Sequence, residues 1–163
     1  MESRAKLLGH PIHPMLVVFP LGLLVAAVIF DFADLVGGSS TLGDVGFWNI
    51  AAGLVGGLLA ATAGLVDLLA IPGGTRAKRV GTIHGATNAG VVLVFAIVWF
   101  VRLAGNDRAA GGGLFVLELV ALAAAGVAAW LGGELVDRLG VGVSPDANLD
   151  APSSLGRQRP VTR

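Results

Sequence analysis

Two of the chain's three histidines lie in Gly9-His10-Pro11-Ile12-His13-Pro14, just before the first long apolar run, and the third, His84, heads another such run. Neutral imidazole ligates zinc, copper or haem iron, and a carboxylate commonly holds its second ring nitrogen. Three chemistries are open to these residues. His13 and His84 can supply the two axial ligands of a haem b, with Asn88 on the His84 face and Arg76, Lys78 and Arg79 available to the propionates. Alternatively His10, His13 and His84, with one of Asp67, Glu134 or Asp137, can make a four-ligand site for a divalent metal. In the third, the same histidines cap helix ends and bond to Asp67 or Asp137, making a non-catalytic scaffold. The chain has no cysteine, which excludes disulfides, thiolate metal sites and cysteine nucleophiles. Gly111-Gly112-Gly113 lacks the lysine of a phosphate-binding loop, and Ser39, Ser40 and Thr41 fall at the end of the chain's spans away from every histidine, so no hydrolase triad forms.

The elements that must position these groups follow from composition. Of 163 residues, 55% are hydrophobic and 13% charged, against roughly 25% charged in soluble domains. Mean hydropathy is +0.81. Apolar runs near 20 residues cross a bilayer as helices, and four occur, at about 14–35, 48–71, 83–101 and 114–135. The expected fold is all-α, a bundle of four transmembrane helices made of two hairpins. Residues 1–13 form an N-terminal segment, 14–140 the membrane domain, and 141–163 a disordered tail. The first run lacks a convincing cleavage site and is read as an uncleaved span. Pro14 suits a first helical turn, whereas Pro20 lies inside the helix and frees the Leu16 carbonyl. Loops are expected at 37–43 and 102–113. Gly53, Gly56, Gly57, Ala60, Ala61, Ala63 and Gly64 give the second span a surface for close packing. Trp99 reads as an interfacial anchor and Glu118 as a snorkelling acid.

Lysine and arginine placement sets orientation, since short basic loops stay cytoplasmic. Arg4, Lys6, Arg76, Lys78, Arg79, Arg138 and the three tail arginines share one side, so both termini are expected to be cytoplasmic. Asp31, Asp34, Asp44, Arg102 and Arg108 fall on the other. His10, His13, His84, Asp67, Glu134 and Asp137 then gather at the cytoplasmic rim. The proline after each N-terminal histidine is expected to keep His10 and His13 out of helical geometry. A weak repeat is visible, His13 and His84 opening hairpins that close on Leu65-Val66-Asp67 and Leu135-Val136-Asp137.

The segments 9–14 and 19–23, then Ile71-Pro72-Gly73-Gly74-Thr75-Arg76, His84 and Asn88, then 131–136 and 140–143, resemble the DUF2231 family of predicted bacterial membrane proteins. Asp137 departs from the pattern, standing where relatives carry an aromatic residue. The resemblance implies four transmembrane helices and no settled activity. It also implies that some relatives carry a Rieske-type iron-sulfur domain, which leans the class towards redox chemistry. The expectation is a multi-pass protein of the bacterial inner membrane whose activity is a haem b or quinone-linked redox role, a metal-binding or transport role, or a scaffold. Its partners would be the lipid bilayer and a second copy or a redox membrane partner. A net charge of zero gives no electrostatic case for nucleic acid. Loss of a bound metal between about pH 7.5 and about pH 5.5 would mark a site built from neutral imidazoles.

Overall fold

The computed structural model describes residues 1–38, 40–105 and 108–155. Four helices make up the membrane domain: α1 (Ile12–Gly37), α2 (Ser40–Ala70), α3 (Arg76–Ala104) and α4 (Gly111–Gly133). A π-helical turn, Glu134–Arg138, closes α4. All four helices are long and apolar enough to span a bilayer. Their outward faces carry exposed Val17, Val18, Leu21, Ile29, Phe32, Leu58, Leu93, Ile97, Val120 and Val127, an arrangement stable in lipid and not in water.

The loops are shorter than the sequence suggests. α2 starts at Ser40, inside the expected 37–43 loop, and α1 ends on Gly38 in a left-handed cap whose N–H reaches Asp34 O. α3 likewise runs on to Ala104, so Arg102 is a helical residue and not part of a polar turn. Of the tail, 141–155 contains no helix or strand, and the rest of the expected disordered segment lies outside the described residues.

α1 packs along α2, α3 along α4, and contacts of α2 with α3 and of α1 with α4 close the ring. α1 and α3 therefore stand diagonally across the bundle. Between them lies an apolar core of Leu24, Ala27, Val28, Ile50, Val91, Phe95, Val98 and Ala121. The glycines of α2 bring its backbone against α1. A Cβ on Gly53 would meet Leu24 at 2.7 Å, and one on Gly56 would meet Phe19 at 2.9 Å and Pro20 at 3.2 Å. The close-packing surface read from the sequence is thus the α1 seam.

The N-terminal segment is ordered. β1 (Lys6–Leu7) and β2 (His10–Pro11) form an antiparallel pair through Leu8 and Gly9. Both turn residues have positive φ, 50° and 85°, as a tight two-residue hairpin requires. Ile12 N–H then donates to Ala5 O at 2.9 Å and fixes where α1 begins. His13 is consequently helical, contrary to the expectation from Pro14. In the first turn Pro14 needs no N–H partner, and Pro11 takes the extended cap position instead. His10, in β2, remains extended as expected.

Candidate functional site

His13 and His84 project from the diagonally opposed α1 and α3 into the bundle. Their ring centroids are 6.2 Å apart and their planes cross at 83°. Each ring is held in the same way by the other helix of its own hairpin. His13 Nδ1–H donates to Ala60 O at 2.8 Å, and His84 Nδ1–H donates to Ala128 O at 2.8 Å. A carbonyl can only accept, so in a neutral ring this bond places the proton on Nδ1 and the lone pair on Nε2. Four residues beyond each carbonyl is a glycine under the ring. A Cβ on Gly64 would lie 2.9 Å from His13 Nδ1, and one on Gly132 3.2 Å from His84 Cε1. The two hairpins thus match through Ala60 with Gly64 and Ala128 with Gly132, a register different from the Leu-Val-Asp match in the sequence.

Asn88, one turn after His84, donates from Nδ2 to His84 O at 3.0 Å and lies 3.3 Å from His84 Nε2. Among the described residues His13 Nε2 has no hydrogen-bond partner. His84 stands eight residues past Arg76, about 12 Å along α3, whereas His13 is the second residue of α1, and both rings are half-buried.

The other candidate ligands are engaged elsewhere. His10 is exposed, its Nδ1 3.3 Å from Leu8 O and 3.4 Å from Ser154 Oγ. Asp67 binds the N-terminal segment, accepting from Ser3 Oγ at 2.9 and 2.7 Å, from Arg4 N–H at 2.6 Å and from Ala5 N–H at 3.3 Å. Glu134, in the π-helical turn, pairs with Arg76 at 2.6 Å. Asp137 is exposed. Lys78 donates to Leu68 O at 2.7 Å, and Arg79 is exposed next to it. No group of three or more His, Cys, Asp or Glu side chains able to hold a metal occurs among the described residues.

Residues 9–145 match the family model of DUF2231, described as a predicted membrane protein. The chain belongs to this family. No curated protein and no solved structure matches it. As a DUF2231 member the chain is an integral membrane protein with four candidate spans, and the matched region contains both hairpins and all three histidines.

A second polar cluster in this DUF2231 chain is not evident from the sequence. At the end of the bundle away from the histidines, Arg102 of α3, Asp31 of α1 and Glu118 of α4 are all 0% exposed. Arg102 is therefore not a loop cation and Glu118 does not snorkel. Arg102 Nη1 and Nη2 donate to Asp31 Oδ2 and Oδ1 at 2.7 and 2.9 Å, a bidentate pair. Trp99, expected at an interface, instead stacks on Phe47 at 5.4 Å, and its Nε1 is buried. The available signal was the rarity of charge inside apolar runs, since an ionisable residue in a span faces the bundle interior and a partner.

Proposed function

We propose that this protein is a membrane redox component that binds haem b between His13 and His84. The observation that carries the reading is the matched locking of the two imidazoles, each with Nδ1–H on a backbone carbonyl of the neighbouring helix and Nε2 directed elsewhere. A carbonyl on the second ring nitrogen is the usual support of a metal-ligating histidine. The two rings meet across the bundle with centroids 6.2 Å apart, so one group could be held by both.

The number of ligands favours haem over a lone divalent ion. Haem iron needs only axial side chains from the protein, whereas a zinc-type site collects four ligands or three and a water. His10, Asp67 and Glu134, the residues that would complete such a shell, are respectively exposed, tied to the N-terminal segment and paired with Arg76. Were haem bound, His13 and His84 would hold it, with Asn88 beside His84 and Arg79 available to the propionates, Arg76 being paired with Glu134. Bound there, haem supplies one-electron transfer. The chain's own contribution is to hold both rings in one tautomer through the Ala60 and Ala128 carbonyls.

The same proposal places the N-terminal end in the cytoplasm of a bacterial cell and the bundle in its inner membrane. Arg4, Lys6, Arg76, Lys78, Arg79 and Arg138 are at that end. At the other end Arg102 is withdrawn into an ion pair, leaving Arg108 as the exposed cation among the described residues.

The test is an absorption spectrum of the detergent-purified full chain supplied with haem. A Soret band that is lost in both His13→Ala and His84→Ala supports the proposal. A colourless protein overturns it. If that colourless protein carries stoichiometric metal the metal-binding reading replaces it, and if it carries none, with both variants only lowering Tm, the scaffold reading does.

A further inference from the structure

We infer that Glu118 is a buried proton-binding site at the end of the bundle opposite the histidines, its carboxyl gaining and losing a proton while Asp31 and Arg102 remain a fixed ion pair. Three ionisable side chains meet with no exposed side-chain surface, and they comprise one cation and two acids. Arg102 uses all five of its N–H groups. Nε donates to Arg108 O at 2.8 Å, Nη1 to Asp31 Oδ2 at 2.7 Å and Glu118 Oε1 at 3.4 Å, and Nη2 to Asp31 Oδ1 at 2.9 Å and Gly43 O at 2.8 Å. The short, bidentate contacts go to Asp31, so the guanidinium charge is spent there. Glu118 receives one contact from Arg102, at the outer limit of a hydrogen bond, its carboxyl also faces that of Asp31 within hydrogen-bonding reach, and its Oε2 meets no donor among the described residues.

The groups around Glu118 offer it no second cation. α1 contributes Asp31 and Asp34, α2 contributes Asp44, and α3 contributes Arg102. Arg108, from the connection to α4, is 42% exposed, 4.0 Å from Asp44 and stacked over Phe47 and Trp48. An unneutralised carboxylate buried in a bundle is strongly disfavoured, and a proton is the simplest neutralising ligand. A metal ion is a poorer fit. Hard cations gather six or more oxygens, and here both Asp31 oxygens and the Gly43 carbonyl already serve Arg102.

Exchange takes place with the near end of the bundle. Asp31 follows His13 by 18 residues of α1, about 27 Å, and the interval is filled by Leu24, Ala27, Val28, Val91, Phe95 and Val98, which offer no relay. Above the cluster, the Arg108 carbonyl that accepts from Arg102 belongs to a residue with φ of 52°.

The experiment is infrared spectroscopy of the full-length protein in detergent as a function of pH. The carbonyl stretch of a protonated carboxylic acid should be present at neutral pH, vanish reversibly on raising the pH, be lost in Glu118→Gln and persist in Asp34→Asn. Glutamine copies the neutral acid, so Glu118→Gln should fold with a Tm close to that of the parent. Absence of the band at neutral pH, its survival in Glu118→Gln, or a large fall in Tm in that variant would each overturn the inference.

Discussion

Asp31 and Arg102 are separated by 71 residues, the same interval that separates His13 from His84, and each pair meets across the bundle, one as an ion pair and the other as facing imidazoles. Leu24 with Phe95 and Ala27 with Val98 share that interval and are also buried. α1 and α3 therefore present equivalent positions to a common axis, with a different chemical pair at each end.

The ion pair should dominate stability. Asp31→Asn leaves Arg102 buried with its main counter-charge removed, and breaking a buried pair on one side costs roughly 3–5 kcal/mol. Denaturation of the variant in detergent should show a loss of that size. Replacing Asp31 and Arg102 together with apolar residues of similar volume should cost far less than the single substitution.

The glycines beneath the rings should be intolerant of a methyl group. In Gly64→Ala the new Cβ would fall 2.9 Å from His13 Nδ1, and overpacking of this kind costs about 1–3 kcal/mol. Gly132→Ala, at 3.2 Å from His84 Cε1, should cost less. Gly126→Ala meets nothing within 4 Å and should be neutral or stabilising, by up to about 1 kcal/mol. Thermal unfolding of the three variants reads the order.

Asp67 should be what fastens the N-terminal segment. It accepts from Ser3 Oγ and from the backbone of Arg4 and Ala5, and hydrogen bonds to a charged acceptor contribute about 1.5–3 kcal/mol. Asp67→Ala should release residues 1–11, seen as faster proteolysis and amide exchange in that stretch, with the helices unaffected.

The same segment should respond to acid through Glu2. Hydrogen bonds from Lys6 and then Ser144, followed by the Lys6 charge, hold its carboxyl below the usual glutamate range. A depressed acid stabilises above its unfolded value of about 4.3, and the contribution fades as pH falls through the folded value. Attachment of the segment, followed by amide exchange, should weaken below about pH 4, and Glu2→Gln should remove that acid-dependent component.

Orientation is open to a clean assay because the chain has no cysteine. Single cysteines at Glu2 and Asp44 should label from opposite sides of sealed membrane vesicles, and the proposed orientation expects Glu2→Cys to label from the cytoplasmic side. The reverse pattern would invert the topology argued from the basic residues.

Much of the fold was readable because lipid imposes a simple rule: a span must be helical and its outer face apolar. Apolar run length set the helices, and glycine density on the second run marked the tight α1 seam. The misread boundaries, at Ser40, Arg76 and Ala104, were those where polar residues continue a helix beyond the apolar run, so that Arg76, Lys78 and Arg79 are helical and not a loop. Composition does not register such extensions, because helical hydrogen bonding persists at the polar interface.

The site was legible only in part. The sequence by itself determined that His13 and His84 lie at like ends of alternate helices, since two crossings separate them and each turn is short. Tertiary structure alone decided that His10 stays outside, that Asp67 and Glu134 are drawn away by Ser3 and Arg76, and that Arg102 turns inward to Asp31. Those choices depend on which backbone and side-chain partners lie within about 3 Å once the helices have packed, and a rotation of one helix by a single residue would exchange them without changing any apolar run.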